Sequence, residues 1–190
     1  MVTMESQGKT AMARSLIAGV CVLLVCGTVR AQQDAPRTYS ADGKTINYNL
    51  TVFNPPIPVQ PNPARLNQDS AVNCTLLFLS RLQKGDIKGA AAVTDDPDST
   101  ARAYGEYKAR VGDAEFSKNI SELFDGDRYL YELTVGPEHA LISEKQPGGA
   151  QVLIEKKGKF WSAGIAHQSP EFKTVFELVN AHAAGKLQFK

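Results

Sequence analysis

Between residues 45 and 53 the chain alternates with a period of two. Ile46, Tyr48, Leu50 and Val52 fall on one side, Thr45, Asn47, Asn49 and Thr51 on the other. That pattern predicts a half-buried strand, and Asp42-Gly43 ahead of it has turn chemistry. Residues 32–44 are polar and predict a loose segment. Pro55, Pro56, Pro58, Pro61 and Pro63 follow the strand. Their fixed φ and missing donors predict an extended polyproline stretch, acting as a stiff spacer or as a docking segment for an aromatic groove.

The period then changes to that of a helix. Leu66, Val72, Leu76, Leu79 and Leu82 mark an apolar stripe, widened by Leu77 and Phe78, which predicts a helix over 64–84 stopped by Gly85. Asp86 can cap a second helix through Thr94. Asp95-Asp96-Pro97-Asp98 breaks the pattern. A third helix is predicted over 100–110 and a fourth over 113–124, with Phe116, Ile120, Leu123 and Phe124 on one face. Zigzag order returns at 128–135, 139–145, 150–156 and 159–165. The joints Gly136-Pro137, Pro147-Gly148-Gly149 and Lys157-Gly158 are short enough to force antiparallel neighbours. Ser169-Pro170-Glu171 opens a closing helix with the stripe Phe172, Val175, Phe176 and Val179, ended by Gly185. The predicted fold is α+β: N-terminal helices on one side of a curved, antiparallel four-stranded meander, with an added C-terminal helix.

The first residues form a separate unit. Lys9 and Arg14 precede an apolar run from Leu16 to Val25, and Val29 and Ala31 stand where a small-residue cleavage motif requires them. This reads as a secretory signal peptide over residues 1–31, before an extended arm (32–63) and an α+β domain (64–190). The expected location is periplasmic or secreted. The apolar run is shorter than the roughly 20 residues a membrane span needs, so no stable span is expected after cleavage. Lipidation at Cys21 or Cys26 is the alternative; Val20 and Val25, which precede them, are larger than the usual residue there.

Cleavage after Ala31 leaves Cys74 as the sole cysteine, so the domain is held by its core and not by a disulfide. It also removes Lys9, Arg14, Arg30 and Glu5, moving the net charge from +1 to −1. A near-neutral surface argues against nucleic acid as a partner.

The run Leu79-Ser80-Arg81-Leu82-Gln83-Lys84-Gly85-Asp86, followed by Ala90-Ala91-Ala92-Val93, resembles the opening of the nuclear-transport-factor-two-like superfamily, which includes ketosteroid isomerase and the SnoaL-like cyclases. The resemblance implies helices followed by a bent antiparallel sheet closing into a cone, over about residues 64 to 165. Such folds host enzymes, binders and assembly domains alike. No catalytic set of the family carries over residue by residue.

Candidate chemistry is sparse. His139, beside Glu138 at a turn, reads as a surface histidine. His182 lies near the end of the last helix, where a cation meets the negative dipole end. His167 follows the last strand, near where a cone could open. No two histidines have metal-ligand spacing, so no metal and no cofactor is expected. Asp95, Asp96 and Asp98 read as solvated helix-breaking acids, and Asp125-Gly126-Asp127 as a turn. Cys74, within an apolar helix, reads as inert packing. The aromatics suggest more. Tyr104 and Tyr107 are three apart on one helix, Tyr129 and Tyr131 share a strand face, and Trp161 lies opposite Phe160. Together with His167 they form the expected lining of an apolar pocket. The leading expectation is a non-enzymatic exported domain that binds a small apolar molecule or another exported protein, possible as a homodimer through the front strand. The alternatives are a cavity enzyme of the isomerase, dehydratase or cyclase type using His167 and a tyrosine, and a periplasmic inhibitor or immunity-type protein.

Overall fold

A computed structural model describes residues 30–33, 36–60, 66–146, 150–163 and 172–189. The alternating segment is the core of β3 (Lys44–Pro58), longer at its C-terminal end than the pattern predicts. Among its described residues, the polar stretch before it is not loose. β1 (Arg30–Gln33) and β2 (Arg37–Ala41) run antiparallel along β3, one after the other. β1 spans both sides of the predicted cleavage point; residues 1–29 lie outside the described residues. Asp42 and Gly43 join β2 to β3 with φ of 50° and 75°. Two positive φ values give the mirror-image turn that suits a twisted ribbon.

The prolines correct a second expectation. Pro55, Pro56 and Pro58 belong to β3 and not to a polyproline spacer. The Asn54–Pro55 peptide is cis. Proline brings no donor to a ladder, and the pairing of β3 with the next strand skips from Val52 to Ile57 across this stretch. Pro61 and Pro63 lie outside the described residues.

The meander follows as predicted, with β4 (Arg128–Val135), β5 (Glu138–Ser143), β6 (Ala150–Lys156) and β7 (Lys159–Ser162). Residues 164 and 165 and the Pro147-Gly148-Gly149 joint lie outside the described residues. The sheet is larger than four strands because β3 inserts beside β4; its antiparallel order is β1-β3-β4-β5-β6-β7, with β2 also on β3. The front strand therefore pairs within its own chain.

α1 (Ala71–Gln83) starts later than predicted, at Ser70, whose hydroxyl accepts from Asn73 N at 3.2 Å. Asp86 caps α2 (Ile87–Ala91) through Gly89 N at 2.9 Å. The acid–proline run is the start of α3 (Pro97–Val111) and not only a break. Asp96 accepts from Ser99 N at 3.1 Å, and Pro97 takes the first turn, where its missing donor costs nothing. α4 (Asp113–Glu122) buries Phe116 and Ile120, whereas Leu123, expected on the same face, lies past its end and is 51% exposed. α5 (Lys173–Ala183) is the closing helix; its expected start at Ser169-Pro170-Glu171 lies outside the described residues.

Helices cover both faces of the sheet, not one. Phe53, Tyr129, Leu141, Leu153 and Phe160 pack under α1, α2 and α4. Ile46, Tyr48, Leu50, Leu133, Ala140, Ile142, Val152 and Ile154 pack against Phe172, Val175, Leu178 and Val179. Adjacent residues of β5, Leu141 and Ile142, thus enter opposite cores, as the two-residue period of a strand requires. The β7 margin is sealed. Phe160 N donates to Gln68 O at 3.0 Å, and Gln68 Nε2 donates to Phe160 O at 2.8 Å. Ser162 N donates to Val93 O at 3.0 Å and Asp95 N to Ser162 O at 2.8 Å.

Candidate ligand-binding cleft

β4 begins to pair with β3 only at Asn49, so residues 44–48 pair with β2 alone and form a two-stranded ribbon reaching past the sheet. One face of the ribbon looks toward α5, and the space between them is a cleft of about 480 Å³. The helix contributes Glu177, Asn180, Ala181 and Ala184, spaced i, i+3, i+4 and i+7 and therefore on one side of it. The ribbon contributes Tyr39, Ala41, Asp42, Lys44 and Ile46. Ile46 and Ala181 are buried at the base. Lys44 Nζ and Glu177 Oε1, 3.3 Å apart, tie the two walls together.

The chain after α5 places Lys186 at the cleft. Gly185, with φ of 70°, turns the chain back, and both Lys186 N and Leu187 N donate to Ala181 O. His182 Nδ1 donates to Leu187 O at 2.9 Å, and Phe189 stacks on the His182 ring at 4.2 Å. This bond and stack tie His182 to the chain that follows α5. A cleft with an apolar base, charged or amide groups at its rim, and this volume suits a small amphipathic molecule.

The expected pocket residues do not line this cleft. Tyr104 meets Phe78 and Phe116 edge-on at 5.9 and 6.4 Å, and burial pushes its phenol pKa up. Tyr107 packs on Phe116 at 5.6 Å, accepts from Asn119 Nδ2 at 2.8 Å and carries Arg110 over its ring at 5.5 Å. Tyr129 lies in the same core, on the α1–α4 side. Burial, with the Asp127 carboxylate adding to it, pushes its phenol pKa up, and its hydroxyl has no hydrogen-bond partner among the described residues. Tyr131 lies across the sheet, against Phe189 at 5.2 Å, and Trp161 is also on that side. His167 lies outside the described residues.

Tyr129 and Tyr131 do not share a face because β4 is bulged between them. Tyr129 pairs with Ser143 and Tyr131 with Ile142, so Leu130 is an extra residue that flips the alternation. His139 is a further correction: it is 7% exposed and not a surface residue. Its neighbour Phe160 comes from β7, and its Nδ1 partner Glu132 from β4. Cys74 is buried as expected. Burial pushes its thiol up to about 12, and Sγ donates to Phe160 O at 3.2 Å, which leaves it a poor nucleophile.

Among the described residues no group of three or more His, Cys, Asp or Glu side chains could hold a metal ion, and no helix is long and apolar enough to cross a membrane. Sequence reasoning passed over Tyr39, Lys44, Asn180 and Lys186. The available signal was the row Glu177, Asn180, Ala181, Ala184, opposite the apolar stripe of the same helix. No protein-family model, curated protein or solved structure matches the chain.

Proposed function

We propose that the chain is an exported binding module that holds a small amphipathic molecule between the β2–β3 ribbon and α5. The cleft itself carries this reading: about 480 Å³, apolar at the base and polar at the rim. Export rests on the basic-then-apolar N-terminus and the small residues Val29 and Ala31. The helices-then-meander order supports kinship with the nuclear-transport-factor-two-like superfamily; the ribbon in front and α5 behind are departures from it. An isomerase-type enzyme would need an acid and a base converging on the ligand. The charged groups of the cleft are Asp42, Lys44, Glu177 and Lys186, with Lys44 paired to Glu177, while His139, paired with Glu132, is on the other side of the sheet.

The test uses 1-anilinonaphthalene-8-sulfonate, an anionic aromatic amphiphile, on the protein purified from cells. Saturable fluorescence enhancement is expected, with Ala184→Trp, at an exposed cleft position, lowering the affinity by about ten-fold at unchanged melting temperature. Equal dye affinity in the two proteins would remove the cleft from the proposal.

A second reading rests on the margin formed by β1 and β2, beyond which no further strand pairs among the described residues. An extended segment of another exported protein, or a second copy of this chain, can add there as a strand. Sedimentation of the isolated protein separates a self-pairing chain from a monomer.

A further inference from the structure

His139 stands apart from the cleft and combines three features. Its imidazole is held: Nδ1 is 2.8 Å from Glu132 Oε1 and 3.3 Å from Thr134 Oγ1, and the Phe160 ring meets it edge-on at 4.9 Å. Its other nitrogen is buried, and Nε2 has no hydrogen-bond partner. A second carboxylate waits nearby, with Glu155 Oε2 of β6 at 3.8 Å from Nε2.

That 3.8 Å gap is longer than a hydrogen bond. It is also too short for a bridging water, which with two hydrogen bonds of about 2.8 Å would hold the outer atoms well over 4 Å apart. Glu155 has the freedom to close it, since its side chain is 44% exposed while that of His139 is 9% exposed. In the neutral ring, with Nδ1–H donating to Glu132, Nε2 is a bare lone pair facing an acceptor. A proton on Nε2 turns the same contact into a charge-assisted donor–acceptor pair.

We propose that His139 is a proton-operated clasp. Uptake of a solvent proton at Nε2 draws the Glu155 carboxylate into a direct hydrogen bond, and the imidazolium then joins β4, β5 and β6 through two carboxylates. The titratable groups facing it are Glu132 from β4 and Glu155 from β6. β4 also contributes Thr134 and β7 contributes Phe160; neither titrates. Glu138, the preceding residue of β5, faces the other way and accepts from Val175 N of α5 at 3.0 Å. The strand that carries the clasp is therefore also the one that anchors α5.

The experiment is nitrogen-15 NMR of the imidazoles of the full protein between about pH 8 and about pH 5. As His139 takes up its proton, its Nε2–H signal should exchange with water at least about ten-fold more slowly than that of an exposed imidazole. In Glu155→Ala, at a surface-accessible position, that protection should vanish. No protected Nε2–H signal at any pH in the unaltered protein, or the same Nε2–H exchange in Glu155→Ala, would overturn the clasp.

Discussion

The two faces of the sheet are closed by different means. On one, four helices pack largely on each other, through the aromatic contacts of Phe78, Tyr104, Phe116 and Tyr107, as well as on the strands. Three of those helices start on a side-chain cap. On the other face α5 and a folded-back tail pack on the core among the described residues, and the N-cap residue of α5, Phe172, makes no side-chain cap bond. Among the described residues only α5 and Lys186 face the ribbon that overruns the sheet, and the cleft forms between them. Both layers keep concave surface: about 480 Å³ under the ribbon on the α5 side, and about 320 Å³ where Gln83 of α1 meets Ser121 and Glu122 of α4 on the other.

The comparison can be broken most directly in the two cores. Leu141 and Leu50, both fully buried, serve opposite faces. Each Leu→Ala change should cost about 3 kcal/mol in urea unfolding, from lost burial and the cavity left behind. A loss below about 1 kcal/mol at Leu50 alone would mean that the α5 face is a loosely attached layer and not a second core. The caps give a smaller effect. Ser70→Ala should cost about 1 kcal/mol, because Asn73 N loses its acceptor at the start of α1. At the start of α5 the acceptor comes from another element: Glu138 of β5 takes Val175 N at 3.0 Å.

The smallest effect lies at the junction of β5 with α5. Burial raises the Glu138 carboxyl pKa, and the amides of Val175 and Thr174 oppose that shift. The folded state therefore holds this proton more tightly than the unfolded chain. The resulting stabilisation is complete below the ordinary carboxylate range and is lost as pH rises through the raised value. Glu138→Gln removes that term while keeping an acceptor for Val175 N. The drop in melting temperature from mildly acidic to neutral pH should be shallower in the variant, and an unchanged or steeper drop would contradict the burial argument.

The meander and the helices were legible in the sequence because each carries its own period: Phe116 with Ile120, or Leu50 with Val52, needs no distant partner to declare a face. What was not legible depends on partners far along the chain. The split of Tyr129 from Tyr131 comes from pairing against Ser143 and Ile142, which no local pattern on β4 reports. The burial of His139 depends on Phe160 and Glu132 from other strands. β2 offers only Tyr39 as a large apolar residue among Thr38, Ser40 and Arg37, and it is a strand because β3 presents an edge to it. The prolines were misleading for a related reason: proline is a tolerable strand residue where the ladder has already slipped, and the slip is a property of β3 and β4 together. The cleft joins residues 39–46 to residues 177–186, so it could be suspected from one wall but not drawn.

Gln68 and the residues 93–95 occupy the place where an eighth strand would add beyond β7. Fibril growth by stacking one molecule's rim on the next needs two receptive rims per molecule, one to give and one to receive. Here one rim is already taken up by the chain itself. Among the described residues, rim-to-rim association is therefore barred at β7 and left to the β1–β2 margin and to the overhanging edge of β3 over residues 44–48.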